Sequence, residues 1–172
     1  MPNLHLKLLP LLAALLVASA LPADQVVATQ IEFTPQVEAQ LQRYGDAEGA
    51  TLRAAIVGSV QHATARLGIP RGALVKVTVL DVAPTHPTRA QQSDDPAQDL
   101  ARTKYLGGAA LEGSIQDASK QVLARVSYRH FAPTLALGSA SLDPWADARL
   151  AIDAFAGKLA AACCRAAAPS QS

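Results

Sequence analysis

The sequence is short of cysteine, of net charge and of long apolar runs. It has two cysteines in 172 residues, and 15 basic residues nearly balance 14 acidic ones, which leaves a formal net charge of +1. No global field therefore favours nucleic acid or an acidic membrane surface. A chain of this length forms one domain that can bury roughly two thirds of its unfolded surface, and several domains are not expected.

The N-terminus predicts a secretory signal peptide over residues 1–20. A basic start with Lys7 precedes an apolar run, and Ala18-Ser19-Ala20 places small residues at the positions that specify cleavage. The run contains Pro10 and is shorter than the ~20 residues that cross a bilayer. We expect a periplasmic or secreted product without stable membrane insertion after cleavage, in which residues 21–168 form a single α+β domain.

The two cysteines, Cys163 and Cys164, are neighbours in a segment with helical periodicity. Adjacent Cα atoms are about 3.8 Å apart, which is below the usual span of a disulfide. Neighbours on a helix also point about 100° apart, which does not suit a shared metal ion. We expect small side chains on a partly buried helical face, and an intermolecular disulfide through the more exposed thiol is the alternative.

Motifs for catalysis and for metal binding are missing as well. His62, His86 and His130 follow the leader, but none stands in a His-x-Glu, paired-His or Cys-x-x-Cys arrangement. There is no Gly-x-Ser-x-Gly nucleophile elbow. We therefore predict no catalytic residue, no metal and no cofactor. The nucleophilic alternative pairs His130 with Cys163 or Cys164.

Periodicity predicts the order strand, helix, strand, strand, strand, helix. Alternating apolar residues mark the strands, and apolar stripes at helical spacing mark the helices. The strands cover 25–33, 71–82, 105–116 and 121–131, the helices cover 46–68 and 143–164, and segment 34–44 fits either type with helix favoured. This order predicts an α+β two-layer sandwich, with a four-stranded, mainly antiparallel sheet and two helices on one face.

The last two strands are expected to form a hairpin around the turn 117–120. Asp, Ser and Lys in that turn suit a tight connection. If Gln116 lies opposite Gln121, small inward residues face large ones, and Glu112 lies opposite Arg125 on the polar side. A slip of one residue would mix apolar with charged partners, so we predict this register.

The outward side of the hairpin is the candidate binding surface. Glu112, Arg125, Ser127 and Arg129 would form a polar sheet surface, which is either a plain solvent-facing sheet or a contact surface for a protein or glycan. Segment 84–104 is rich in proline and glutamine and poor in large aliphatic residues. It predicts a mobile loop that contributes little to the core and could close over this surface.

The second half of the chain resembles a family of uncharacterised bacterial envelope lipoproteins, over about residues 105–160. In that family a glutamate-bearing strand, an Asp turn and a second strand precede a helix that opens with Trp-x-Asp-Ala. Here Glu112, Asp117 and Trp145-Ala146-Asp147-Ala148 match that pattern. Two features depart from it: a lipid-accepting cysteine is lacking near the predicted cleavage point, and Ser119-Lys120 stands where glycine is common.

The resemblance implies a non-catalytic envelope accessory role with no family active site to carry over. We expect a soluble binding module for another envelope component, a protein or a glycan, with no nucleic-acid partner, as a monomer or weak dimer. Trp145 is expected to anchor the last helix on the sheet. The alternatives are a small hydrolase that uses His130 with Cys163 or Cys164, and a module that self-associates through Cys164.

Overall fold

The computed structural model describes residues 27–69, 72–97, 103, 105–133 and 142–167. The predicted leader, residues 1–20, lies outside them and stays a prediction. The elements are β1 (Ala28–Phe33), α1 (Pro35–Tyr44), α2 (Glu48–Arg66), β2 (Leu74–Ala83), α3 (Arg89–Asp94), β3 (Gly108–Gln116), β4 (Val122–Phe131) and α4 (Ala146–Ala167).

The four strands form one sheet in the order β1-β2-β3-β4. β1 runs parallel to β2, whereas β2 with β3 and β3 with β4 are antiparallel. A parallel pair needs a crossover connection, which α1 and α2 supply. The predicted α+β class with a mostly antiparallel sheet is confirmed. α1 is the favoured form of the segment that fitted either type, and α3 is an addition to the predicted order.

The core lies between one face of the sheet and the two long helices. In β2 the alternating residues Val75, Val77 and Val79 are buried, as expected for β-branched residues on one face of a pleated strand. α4 packs on β3, β4 and α2. Each large apolar side chain buried in this way contributes about 1.5–3 kcal/mol. The helices contribute Leu52, Ile56, Val60, Ile152, Phe155 and Leu159.

The ambiguous segment after β1 is a helix. Thr34 is its N-cap, and the Thr34 hydroxyl accepts a hydrogen bond from the main-chain N–H of Val37 at 3.4 Å. Pro35 occupies the first turn, where its missing N–H is not needed. Val37 and Leu41 are buried, so the helical spacing rather than the alternation determined the structure.

The predicted hairpin turn is present, and Asp117 organises it. Its Oδ1 accepts hydrogen bonds from the main-chain N–H groups of Ser119 at 2.8 Å and Gln121 at 2.9 Å, and from the Ser119 hydroxyl at 2.6 Å. These bonds favour the carboxylate, the Ser119 hydroxyl most, and they hold the pKa of Asp117 below its ordinary value. Lys120 closes the turn with a left-handed φ of 67°.

The predicted register of this hairpin is wrong by two residues. Glu112 lies opposite Ser127, and Arg125 lies opposite Ser114, so the expected Glu112–Arg125 pair does not form. Asp117 N–H donates to the carbonyl of Gln121, which makes the loop one residue shorter than expected, and an irregularity after Ile115 adds the second residue. Because side chains alternate with period two, the two-residue shift leaves the side chains from Ala124 to Phe131 on their predicted faces. Beyond the irregularity this no longer holds, and Val122, which was expected to face inward, is exposed.

The expectation that segment 84–104 adds little to the core is wrong at its start. Thr85, His86 and Thr88 are all buried, and Nδ1 of His86 lies 3.1 Å from the carbonyl oxygen of Thr103. Thr88 then caps α3 through a capping box with Gln91. Residues 98–102 and 104 lie outside the described residues.

Candidate functional site

The four side chains that the sequence singles out share one face of the sheet. Glu112 on β3 and Arg125, Ser127 and Arg129 on β4 are all exposed. The helices pack on the opposite face. We call the exposed side of β2, β3 and β4 that carries these residues the open face. The structure brings the four residues together, and their role in binding stays a prediction.

Charges on the open face lie in rows across the strands. Lys76, Ser114 and Arg125 occupy one row, so that two cations flank a hydroxyl. Glu112 lies in the next row, opposite Ser127. Within the described part of the chain, neither Glu112 nor Arg125 takes part in an ion pair. Both charges are therefore exposed to solvent.

Arg129 is oriented by two neighbours. Its Nη2 lies 3.4 Å from Oδ2 of Asp81, and its guanidinium carbon lies 4.5 Å from the centre of the Phe131 ring. Asp81 and Arg129 flank Ala110 in one row, and the small alanine side chain leaves room for them to meet. Because the Arg129 side chain is 67% exposed, the ion pair contributes at most about 1 kcal/mol. It fixes the direction of the guanidinium more than it stabilises the fold.

The two edge strands of the sheet, β1 and β4, differ in what contacts their backbones. On β1, Nη1 of Arg53 donates to the carbonyl oxygen of Ile31 at 2.7 Å, and the guanidinium lies 4.2 Å from the centre of the Phe33 ring. No described residue outside the sheet forms a hydrogen bond with the main chain of β4. An unpaired strand edge presents main-chain donors and acceptors to other chains. The edge of β4 therefore adds backbone hydrogen bonding to the polar side chains of the open face.

A second polar group of residues fastens the start of α4 to the end of β2. The Thr85 hydroxyl donates to Oδ2 of Asp147 at 3.0 Å and accepts from the Asp147 main-chain N–H at 3.1 Å. The Thr85 N–H donates to the carbonyl of Pro144 at 2.6 Å. The polar groups of Thr85 and Asp147 thus have hydrogen-bond partners in a partly buried location, which is typical of a structural contact.

Trp145 lies directly before α4, is buried in the core and contacts residues of α1 and α2. Its Nε1 donates to Oε2 of Glu48 at 2.6 Å, and its ring meets that of Tyr44 edge to face with 5.7 Å between centroids. The indole is buried with its one donor satisfied, as such a side chain requires. Burial also raises the pKa of the Tyr44 phenol.

A cleft of about 550 Å³ lies between α2 and α4, and the sequence analysis missed it. The Ser59 hydroxyl donates to Oδ1 of Asp153 across the cleft, and His62 lines the same space. Since the hydroxyl donates directly to the carboxylate, no imidazole lies between them to act as its base. Glycine is unfavourable inside a helix. The two helical glycines that line the cleft, Gly58 and Gly157, are therefore the feature of the sequence that could have indicated it.

The residues of the thiol alternative lie apart. His130 is exposed and pairs with Ala109 at the end of the sheet where α4 begins. Cys163 lies roughly 27 Å farther along α4 than Trp145, at 1.5 Å per residue. Burial, and then the neighbouring Cys164, raise the pKa of the Cys163 thiol, which disfavours the reactive thiolate. The Cys164 thiol lies 3.4 Å from the carbonyl oxygen of Leu67.

Comparison of the chain with protein-family models, curated proteins and solved structures finds no match. The resemblance to envelope lipoproteins has no support from these comparisons and stays a prediction. Over the described ranges, no group of three or more His, Cys, Asp or Glu side chains could hold a metal ion. The helices in those ranges include none long and apolar enough to cross a membrane.

Proposed function

We propose that this chain is an exported, non-catalytic accessory protein that binds another protein of the cell envelope. The binding surface is the open face together with the β4 edge, and its residues are Glu112, Arg125, Ser127 and Arg129. One observation carries the proposal: exposed charges without ion-pair partners among the described residues, at Glu112 and Arg125, lie on the two strands next to a sheet edge with which no described strand pairs. No cofactor enters into this function.

A protein is favoured over a glycan as the partner because of the strand edge. Main-chain N–H and C=O groups along an edge match the repeat of another polypeptide, and strand addition is a common mode of peptide recognition. Side chains on the open face would then select which polypeptide binds. A glycan offers no main chain that could continue the sheet.

The proposed compartment rests on residues 1–20. Export predicts that the chain recovered from the periplasm or the medium begins at Leu21, because Ala20 is the last residue of the predicted cleavage site. N-terminal sequencing of the recovered chain measures this directly. A chain that keeps Met1 and remains in the cytosol would contradict export.

The binding proposal is tested by placing a photo-crosslinking amino acid at Ser127 in cells that export the chain. We expect a discrete crosslinked adduct from Ser127 and none from Glu38, an exposed position on α1. The adduct should be lost when Arg125→Glu and Arg129→Glu are introduced together. Equal adducts from both positions, or an adduct that survives the charge reversal, would reject the open face as the binding surface.

A further inference from the structure

β4 is long and regular enough to accept an added strand. It spans 10 residues, and its pairing with β3 runs without irregularity from Ala124 to Phe131. No described strand pairs with its other side. In an antiparallel strand, alternate residues direct both N–H and C=O to the same side. The outer side of β4 therefore carries a row of main-chain groups with the spacing of one more strand.

The side chains at this edge decide which strand would fit. Arg125 and Arg129 project from β4 onto the open face with Ser127 between them, and all three are exposed. Residues directly opposite on paired strands bring their β-carbons to about 5 Å, so opposite charges there attract and like charges repel. An added strand thus meets two cations at alternate positions on one side of the sheet.

A second copy of this chain is a poor occupant. If β4 paired with its copy about Ser127, Arg125 of each copy would lie opposite Arg129 of the other. A register shifted by two residues would leave the arginines diagonal to one another, still within the reach of long side chains. Positive charge on an edge strand is a common means of preventing such self-pairing.

Arg129 is prepared for a carboxylate. Its contacts with Asp81 and the Phe131 ring hold the guanidinium over the sheet, so less side-chain freedom is lost when a further acid binds. A guanidinium has five N–H donors, and the contact at 3.4 Å with Asp81 involves Nη2 alone. Arg125 has no ion-pair partner among the described residues, so its charge is wholly available.

We propose that the β4 edge binds an extended acidic segment of another protein by strand addition. Carboxylates of that segment lie against Arg125 and Arg129, with an uncharged residue opposite Ser127. This inference rests on the proposed function and specifies its partner: a polypeptide with two acidic residues four positions apart, to match the spacing of the two arginines. The main chain provides the pairing, and the two arginines provide the selection.

The test uses the purified full chain, labelled with ¹⁵N, and a capped peptide of alternating valine and threonine with glutamates placed to face the two arginines. We expect chemical-shift changes at β3 and β4 amides on titration. A peptide with lysines in place of the glutamates should bind at least about tenfold more weakly, from two lost attractions and two new repulsions. In the double variant R125E/R129E this preference should reverse in favour of the lysine peptide.

Two controls separate strand addition from simple charge attraction. The glutamate peptide methylated on the main-chain nitrogens that face β4 keeps its charges but cannot pair, so we expect its binding to be lost. Lys76→Glu changes a charge on the same face but on the inner strand β2, and we expect it to leave the preference for the glutamate peptide intact. Equal binding of the methylated peptide, or loss of the preference in K76E, would overturn the proposal.

The outcome is separable from that of the proposed function. If the glutamate peptide fails to bind while Ser127 still gives a charge-dependent adduct in cells, the acidic strand is wrong and the open face remains a binding surface. If the peptide shifts amides of α2 and α4 instead of β4, strand addition at this edge is overturned. The variants R125E and R129E lie at exposed positions, and thermal unfolding confirms that each is folded before titration.

Discussion

The two outer strands of the sheet differ in length and in what contacts their edges. β1 has 6 residues, and Arg53 of α2 hydrogen-bonds to its backbone and stacks on its Phe33 ring. β4 has 10 residues, and its backbone makes no hydrogen bond to a described residue outside the sheet. A sheet edge is usually shortened, covered or charged to prevent unwanted pairing. β1 is short and has a side chain bonded to its backbone, whereas β4 is long and carries exposed arginines beside an edge with which no described strand pairs.

Under the proposed function, this sheet has one closed edge at β1 and one selective edge at β4. A covering side chain such as Arg53 competes with any added strand for the same backbone acceptor. Arginines beside an open edge repel a basic strand but attract an acidic one. In that proposal the contrast between β1 and β4 concerns binding as well as solubility.

The largest loss of stability is expected from a side chain added at Gly113, which lies on β3 where α4 packs on the sheet. A β-carbon at Gly113 would lie 2.6 Å from Cζ of Phe155 and 2.9 Å from the carbonyl oxygen of Lys76. Because neither ring nor backbone can move away cheaply, Gly113→Val should lower the free energy of unfolding by about 3 kcal/mol. Chemical denaturation measures this change, and a loss below about 1 kcal/mol would show that α4 does not hold β3 and β4 as tightly as the geometry indicates.

Gly157→Ala is the matched control for that variant. Gly157 is exposed within α4, and a β-carbon there meets nothing within 4 Å. Alanine is about 1 kcal/mol more favourable than glycine inside a helix, so the free energy of unfolding should rise. Destabilisation by both variants would mean that any side chain added near α4 is harmful, and the specific contact with Phe155 would lose its support.

The next largest loss of stability is expected at the β1 edge, which Arg53 contacts. Arg53→Ala removes a charged hydrogen bond to Ile31 and the stacking on Phe33, which together should cost about 2 kcal/mol of unfolding free energy. It also uncovers β1, so sedimentation velocity should show association that grows with protein concentration. Arg66→Ala, at an exposed position of the same helix, should do neither. A monomeric, fully stable Arg53→Ala variant would remove the distinction between the two edges.

The sequence was sufficient for most of the fold. Alternating valines in β2 and the stripe Leu52, Ile56 and Val60 in α2 each fit one structure only, and both are where the pattern places them. The common face of the four candidate residues followed from the same alternation. The role of Arg53 could not be predicted from this alternation. Its partner Ile31 is distant in sequence, and the contact exists only once α2 packs beside β1.

Two errors have local physical causes. The register was misjudged because a left-handed φ at Lys120 and an irregularity after Ile115 are properties of the backbone, which the side-chain pattern does not report. Burial at the start of segment 84–104 was missed because Thr85 bonds to Asp147, 62 positions away. A composition rich in proline and glutamine is typical of loops, and it gives no sign of such partners.

A smaller effect is expected from the turn that aligns β4. Lys120 has a φ of 67°, a conformation that costs a non-glycine residue about 1 kcal/mol. Lys120→Gly removes this strain, although glycine has more freedom to lose on folding, so we expect a net gain of about 0.5 kcal/mol in unfolding free energy. Ser119→Gly, whose φ is not left-handed, should give no gain, and equal gains would show that strain at Lys120 is not the cause.

The smallest effect is expected from the exposed carboxylate that holds the same turn. The pKa of Asp117 in the folded chain lies below its ordinary 3.8 because the Ser119 hydroxyl and two main-chain N–H groups favour the carboxylate. Its stabilisation of the hairpin is therefore complete above pH 3.8 and is lost as the pH falls through the folded value. Asp117→Ala should lower stability at pH 7 and match the parent chain in stronger acid, as unfolding curves across this range can measure. A difference that persists unchanged in acid would mean that the turn depends on the shape of Asp117 rather than on its charge, and β4 would then keep its alignment at any pH at which the sheet is folded.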